Sequence, residues 1–163
     1  MASEKQAMIH NWKTTLTAAN LAKSDLPKGR QVFQTTCATC HVMYGQGRKV
    51  GPDLTGSNRR NVDYLLENIF DPSATVAVDF RTSVAVLNDG RTISGVLGLQ
   101  TDRTITLETA KEPVTIARDE IEEMKPTNLS LMPDGILNQL TPEHVRDLFA
   151  YLMSTEQVPL PTK

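Results

Sequence analysis

The chain has few aromatic residues, few cysteines and no long apolar run. Its 163 residues include one Trp, three Tyr and four Phe, so the core must be aliphatic or completed by an apolar group that the chain does not encode. No uncharged apolar stretch approaches the ~18 residues of a membrane span. The net charge of −2 lacks the basic excess that would indicate a nucleic-acid partner.

The rest of the composition is that of a folded domain. Hydrophobic residues make up 39% and charged residues 22% of the chain, which predicts one compact domain with room for a small second lobe. The first residues lack the basic start and apolar stretch of a secretory signal. The two cysteines, Cys37 and Cys40, stand three positions apart, and His41 follows directly.

Helical periodicity occurs in four segments. Each has apolar residues three or four positions apart, and three of them begin at a residue that can cap a helix. The predicted helices are 5–24, the segment from Asp25 to Cys37, the segment from Asn61 to Pro72 and the segment from Thr141 to about Ser154. Residues 45–57 contain four glycines and Pro52, which predicts a loop.

From Phe80 to Met124 the helical period gives way to alternation, which is typical of strands. Five short strands are predicted, at residues 82–87, 92–97, 104–107, 114–116 and 121–124. Asp89-Gly90 supplies a hairpin turn between the first two. Since open sheet edges invite aggregation, we expect a small closed barrel of the SH3-like or Sm-like kind. A polar loop is expected over residues 127–138.

The sequence Cys37-Ala38-Thr39-Cys40-His41 places two thiols about one turn apart with an imidazole beside them. This spacing suits two thioether bonds to a haem whose iron is bound by the histidine. The competing interpretations are a redox-active dithiol, a disulfide and a zinc site. A redox pair requires a strand before the motif, whereas a helix is predicted here. A zinc site requires four ligands, and the remaining histidines, His10 and His144, stand alone in predicted helices.

Around this motif the chain resembles a class I c-type cytochrome. The matching features are Gly29 and Phe33 before the motif, the Gly-Pro-x-Leu sequence at 51–54, and Leu148, Tyr151 and Leu152 in the last helix. The resemblance implies one covalently attached haem c and a close crossing of the last helix at Gly29. It also implies that the Pro52 carbonyl accepts the Nδ1 proton of His41 and so orients the ring.

The β segment is an insertion that ordinary class I cytochromes lack. Over residues 26–154 the chain more narrowly resembles a haem-binding domain type described for planctomycetes and verrucomicrobia. The expected fold is a mainly α cytochrome c fold with an inserted all-β module, α+β overall. The expected divisions are an N-terminal helix and linker at 1–25, the haem domain at 26–79 and 126–155, the β module at 80–125 and a tail at 156–163.

The resemblance implies that Met132 is the second axial ligand, because it lies in a non-helical segment before the last helix and is followed by Pro133. A thioether stabilises ferrous iron and favours an electron carrier. The alternative is that Met132 is a structural loop residue whose side chain fills a gap in the packing. Met124 is interpreted as barrel core. His10 is interpreted as a solvated helix residue.

The sequence therefore predicts a monohaem electron carrier rather than an enzyme, and no catalytic residue is expected. The alternative is a haem-based gas or redox sensor, in which Met132 leaves the iron. The expected partner is a redox protein or a fused dehydrogenase domain. The narrower resemblance implies a C-terminal module of a larger exported, periplasmic protein.

Positive charge is concentrated in the first part of the chain: residues 1–60 carry nine Lys and Arg against three Asp and Glu. Four of these residues are expected near the haem edge, namely Arg48, Lys49, Arg59 and Arg60. They either steer an acidic partner or form a solvated face.

Overall fold

The computed structural model describes residues 2–163 and divides the chain into two compact units. The first unit comprises the residues up to Asp71 together with Asp134–Lys163, and the second comprises Pro72–Pro133. The sequence analysis placed these divisions at 79/80 and 125/126. Among residues 2–163, no helix has both the length and the apolar content to cross a bilayer.

The described residues of the first unit form five helices and one short hairpin. The helices are α1 (Ala2–Thr15), α2 (Ala18–Leu21), α3 (Leu26–Thr36), α4 (Val62–Phe70) and α6 (Pro142–Leu152), and the hairpin strands are β1 (Val42–Met43) and β2 (Gln46–Gly47). The helix expected over 5–24 is interrupted, because the hydroxyl of Thr17 caps α2 by accepting a hydrogen bond from the Asn20 amide at 3.3 Å. The second strand of the hairpin lies within residues 45–57, where a loop was expected.

Local capping sets the starts of the longer helices as predicted. Asp25 caps α3 by accepting a hydrogen bond from Lys28 N at 3.0 Å. Asn61 caps α4 through the amides of Asp63 and Tyr64, and Thr141 caps α6 through the amide of His144. A capping side chain satisfies amides that the first turn leaves without partners, so these starts are fixed by nearby residues alone.

The core of the first unit forms mainly where α3, α4 and α6 meet. Its buried residues are Leu16, Val32, Phe33, Met43, Leu65, Leu66, Phe70, Leu137, Val145, Leu148, Phe149, Tyr151 and Leu152. The rings of Phe33 and Tyr151 lie 5.6 Å apart at 57°, a tilted arrangement that aromatic pairs prefer. Helix α1 contributes Trp12, which stacks on Phe70 at 6.4 Å.

Gly29 marks the crossing of α3 and α6. A Cβ at this position would overlap the backbone carbonyl of Asp147 and come within 2.8 Å of the Tyr151 Cβ. The carboxylate of Asp147, in turn, accepts a hydrogen bond from the Asp25 amide at 2.9 Å. The two helices therefore approach as closely as their backbones allow, which is the role that the resemblance implied for Gly29.

The second unit is an antiparallel sheet of five strands, accompanied by α5 (Pro72–Thr75) and two short 3₁₀ turns, Val78–Phe80 and Arg118–Glu120. Its strands are β3 (Arg81–Leu87), β4 (Thr92–Gln100), β5 (Thr104–Glu108), β6 (Val114–Ala117) and β7 (Ile121–Ser130). They pair in the order β6-β5-β4-β3-β7. Gly90 makes the predicted hairpin turn with a φ of 87°, a value that glycine adopts without strain.

The sheet does not close into the expected barrel. In the described residues β6 and β7 pair on one side only and form the two edges. The edge strand β7 carries exposed Glu122, Glu123, Lys125 and Pro126, and charge and proline on an edge discourage pairing with another chain without closure. The polar loop expected from Thr127 also begins later, because β7 continues to Ser130.

Gly29→Ala should destabilise the haem-loaded protein. Replacing glycine by alanine within a helix normally adds about 0.5–1 kcal/mol of stability, whereas here the added methyl meets the Asp147 backbone. We expect a loss of about 3 kcal/mol in the free energy of unfolding, measured by chemical denaturation. The control is Gly56→Ala, where a Cβ would meet nothing within 4 Å. Equal stabilities of the two variants would contradict the crossing.

Candidate functional site

The Cys-x-x-Cys-His segment begins where α3 ends. Cys37 is the C-terminal cap of α3, and its amide bonds to the Phe33 carbonyl at 2.8 Å. The amides of Cys40 and His41 both turn back to the Cys37 carbonyl, at 3.1 and 2.9 Å. The helix end therefore runs into a tight turn that carries both thiols and the imidazole on one short stretch of backbone.

Burial distinguishes this pair from a redox-active dithiol. Both cysteines are half-buried free thiols, and desolvation raises the pKa of Cys37 to about 12, with a smaller contribution from Cys40. Reactive dithiols depend on a lowered thiol pKa. In addition, residues 2–163 gather no group of three His, Cys, Asp or Glu side chains that could hold a metal ion.

His41 is held by one hydrogen bond. Its Nδ1 lies 2.8 Å from the carbonyl oxygen of Pro52, as the resemblance implies, so the Nδ1 proton is donated to that carbonyl. Burial lowers the pKa of His41, and the hydrogen bond to Pro52 partly opposes this shift. The ring is therefore neutral near pH 7, with Nε2 as its free lone pair, and this is the form that binds a metal.

Gly51 supplies the surface on which this ring rests. A Cβ at Gly51 would come within 2.6 Å of Cε1, 3.0 Å of Nδ1 and 3.2 Å of Nε2 of His41. The Gly51 amide bonds to the Cys40 carbonyl at 2.6 Å. Glycine is thus the residue that lets the backbone lie against the imidazole while Pro52 accepts its proton.

The glycine-rich segment after His41 is fixed by backbone hydrogen bonds rather than being a loose loop. Arg48 N bonds to the Ala38 carbonyl at 2.9 Å, and Leu54 N bonds to the Val42 carbonyl at 2.8 Å. Tyr44 has a φ of 51°, unusual for a residue with a side chain. The thiols, the imidazole and Pro52 are therefore held in fixed relative positions.

Arg59 is the residue of this region whose role the sequence analysis missed. Its side chain is 5% exposed, so it is not part of a basic surface that steers a partner. Its Nε donates to the Thr55 carbonyl at 3.0 Å, and Nη1 donates to the carbonyls of Leu152, at 2.8 Å, and Ser154. The guanidinium thereby caps the C-terminal end of α6, where a cation is favoured by the helix dipole.

Tyr44 completes this arrangement. Arg59 Nη2 donates to the Tyr44 hydroxyl at 3.0 Å, and that hydroxyl donates to the Ser154 carbonyl at 2.8 Å. The guanidinium also lies over the tyrosine ring, 5.0 Å from its centroid, a cation–π contact. The sequence gives little indication of this cluster, because Arg59 and Arg60 are adjacent arginines and only the fold shows that Arg59 is the buried one.

The structure brings Cys37, Cys40, His41 and Pro52 together in the first unit. Met132 lies in the second unit, beyond the end of β7. It is half-buried, and its amide bonds to the Ser130 hydroxyl at 3.1 Å. His10 is exposed on α1, as expected. Met124 was expected in the core of a barrel, whereas it is half-buried and packs at the margin of the core of the open sheet.

These residues fit a haem c. Two neighbouring thiols are available for thioether bonds, and an adjacent neutral imidazole has its second nitrogen hydrogen-bonded, which fixes the tautomer and orientation of an axial ligand. No other combination of groups in the described chain offers both features in one turn of backbone.

Comparison with known proteins agrees with this reading of the site. Residues 26–80 match the family described as Cytochrome c. The chain is also 38% identical over 48 residues to a protein of Synechocystis sp. described as "Cytochrome c-553-like", and the match covers 29% of this chain and 45% of that protein. The chain thus spans less than half the length of the curated relative it matches.

Residues 26–80 are thus similar to a c-type cytochrome domain, and such a domain implies covalently attached haem c with its iron. Proteins of this family are generally electron carriers rather than enzymes. The match begins at the start of α3 and includes Cys37, Cys40, His41 and the Gly51-Pro52 segment. It ends at Phe80, before the strands of the β unit.

Arg59→Gln should lower the free energy of unfolding of the haem-loaded protein by about 2–4 kcal/mol. The change removes the guanidinium donors to the Thr55 and Leu152 carbonyls and one of the two donors to the Ser154 carbonyl. The control is the adjacent Arg60→Gln, an exposed position where the change should stay within about 0.5 kcal/mol. Chemical denaturation of both variants gives the comparison. A loss of the same size in both would show that general charge, not the cap, is responsible.

Proposed function

We propose that the chain is a monohaem electron-transfer module in which Cys37 and Cys40 attach the haem and His41 and Met132 are the axial ligands. The observation that carries the proposal is the set of contacts at His41: the Pro52 carbonyl holds Nδ1 at 2.8 Å, and Gly51 leaves room for the ring. Haem c, when bound, supplies a one-electron iron couple. The residues of the chain attach it and orient the imidazole.

The proximal side of the site is formed by Cys37, Cys40 and His41. Donation of the Nδ1 proton to Pro52 increases the basicity of His41, which strengthens it as an axial ligand. The helix α3 brings the two thiols to the same turn, so attachment and ligation use one short, fixed segment. Thioether attachment holds the group irrespective of the state of the iron, which suits a carrier that cycles between two oxidation states.

Met132 is proposed as the distal ligand from its place in the chain. It follows β7 and precedes α6, in a segment without regular structure, and Pro133 comes next. A methionine ligand is soft, stabilises ferrous iron and raises the potential. These properties favour electron transfer over gas sensing, because a retained thioether leaves no position for an external ligand.

The wider context follows from the same proposal. We infer that the β segment is an insertion in the haem domain, as in the planctomycete and verrucomicrobial type. On this view the chain is the C-terminal module of a larger exported, periplasmic protein and exchanges electrons with a redox protein or a fused dehydrogenase domain. The exposed Lys49 and Arg60 support an acidic partner, since a positive surface raises the association rate with one.

Covalent attachment gives the first test. Protein matured in an oxidising compartment with haem-attachment machinery should retain haem after denaturation and acid-acetone extraction, and its mass should include one haem. The Cys37→Ser variant keeps one thioether, which the pyridine haemochrome spectrum reports, and the double variant with Cys40→Ser should lose the haem on extraction. Extraction of free haem from the unmodified protein, or one bound zinc in place of haem, would refute the proposal.

The second test concerns the distal ligand. Met132→Ala should abolish the methionine-to-iron charge-transfer band of the ferric protein and lower the reduction potential. Its affinity for imidazole should increase about tenfold or more, which corresponds to about 1.4 kcal/mol. Met124→Ala is the matched control and should leave the band in place. An unchanged spectrum in Met132→Ala would assign the ligand to another side chain, and ready CO binding by the unmodified protein would favour the sensor.

A further inference from the structure

One lysine binds two carboxylates at the base of the insertion. The Nζ atom of Lys5, on α1, lies 2.7 Å from Oδ1 of Asp71 and 3.0 Å from Oδ2 of Asp134. The side chains of Lys5 and Asp71 are 26% and 24% exposed, so this contact is partly shielded from water. The hydrogen bonds to Asp71 and Asp134 raise the pKa of Lys5 against a small opposing effect of burial, so the ammonium is charged at neutral pH.

The two carboxylates occupy special positions in the chain. Asp71 is the last residue of the first unit before the β segment, and Asp134 is the first residue of that unit after it. Asp71 also caps the end of α4, with its amide bonded to the Glu67 carbonyl at 2.9 Å. A single ammonium therefore joins the point where the chain leaves the first unit to the point where it returns.

Helix α1 presents this lysine from a fixed position. Its Ile9 and Trp12 pack on the core of the first unit, and Trp12 stacks on Phe70, the residue before Asp71. One face of α1 also carries Lys13, whose Nζ lies 2.8 Å from Asp63 on α4. Lys5 is thus presented by a helix that is itself packed on the core of the first unit.

We propose that Lys5 is a positioning residue that fixes the two connections of the β segment to each other and thereby keeps Met132 on the iron. Met132 lies two residues before Asp134, so the carboxylate held by Lys5 anchors the segment that carries it. This inference rests on the assignment of Met132 as distal ligand. It gives α1, which precedes the part of the chain matched to the cytochrome family, a role in the site.

The test compares two lysines of the same helix in the ferric holoprotein. Lys5→Gln removes both ion pairs at the connections and should raise the affinity for imidazole about threefold, in line with the strength of partly exposed ion pairs. Lys13→Gln removes an ion pair of the same kind on the same helix and should leave that affinity unchanged. Asp134→Asn should reproduce the effect of Lys5→Gln, and the double variant should show no further increase.

Hydrogen exchange provides a second readout that does not involve the iron. The amides of Asn138 and Leu140, which bond to the carbonyls of Gly135 and Leu137, lie just after Asp134 and should exchange faster in Lys5→Gln than in Lys13→Gln. Faster exchange together with tighter imidazole binding supports the proposal. Faster exchange without any change in imidazole affinity, or equal behaviour of the two lysine variants, overturns it.

The experiment separates this inference from the proposed function. An unchanged spectrum of Met132→Ala would overturn the ligand assignment, and Lys5 would then lose its role at the iron as well. A spectrum that loses the methionine band in Met132→Ala, combined with identical imidazole affinities in Lys5→Gln and Lys13→Gln, would overturn the role of Lys5 alone.

Discussion

The close crossing of α3 and α6 at Gly29 is the constraint on which the first unit depends. Because Gly29 has no side chain, the α3 backbone rests against the Asp147 carbonyl, and the rings of Phe33 and Tyr151 meet one turn further along. The same α3 ends in Cys37, and the same α6 ends at the carbonyls that Arg59 caps. The crossing thus sets where the thiols and the capped helix end lie relative to each other.

From this crossing the geometry of the site follows by short steps. The turn after Cys37 delivers His41, the backbone of Gly51 lies against its ring, and Pro52 accepts its proton. The guanidinium of Arg59 then links the end of this segment to the end of α6. Its described hydrogen-bond acceptors are backbone carbonyls and the Tyr44 hydroxyl rather than a carboxylate. Removing such a group is costly because the buried Leu152 carbonyl loses its side-chain donor.

Features set by neighbouring residues were predictable from the sequence. The caps Asp25, Asn61 and Thr141 and the turn at Gly90 each act within three or four positions, and a local pattern contains all the information needed. The Cys-x-x-Cys-His motif likewise indicates haem attachment from only five residues.

Features that depend on distant residues were not predictable. Arg59 was misinterpreted because its acceptors at Leu152 and Ser154 lie more than ninety positions away in the sequence. Only the assembled fold shows which of the two adjacent arginines is buried. The barrel was wrong because the argument from exposed edges did not allow for an edge strand protected by its own charges and proline.

The discontinuity of the first unit has a consequence for synthesis and maturation. Its two stretches are separated by the whole β segment, whereas the β segment is continuous in the chain. Because synthesis proceeds from the N-terminus, Cys37 and Cys40 are made long before α6. The helix that packs against Gly29 is therefore not yet present when the cysteines have been synthesised. During that interval the motif cannot pack against α6, and the contacts between α3 and α6 form last. The order of elements in the sequence therefore places the Cys-x-x-Cys-His motif early in synthesis and the helix that completes its unit near the end.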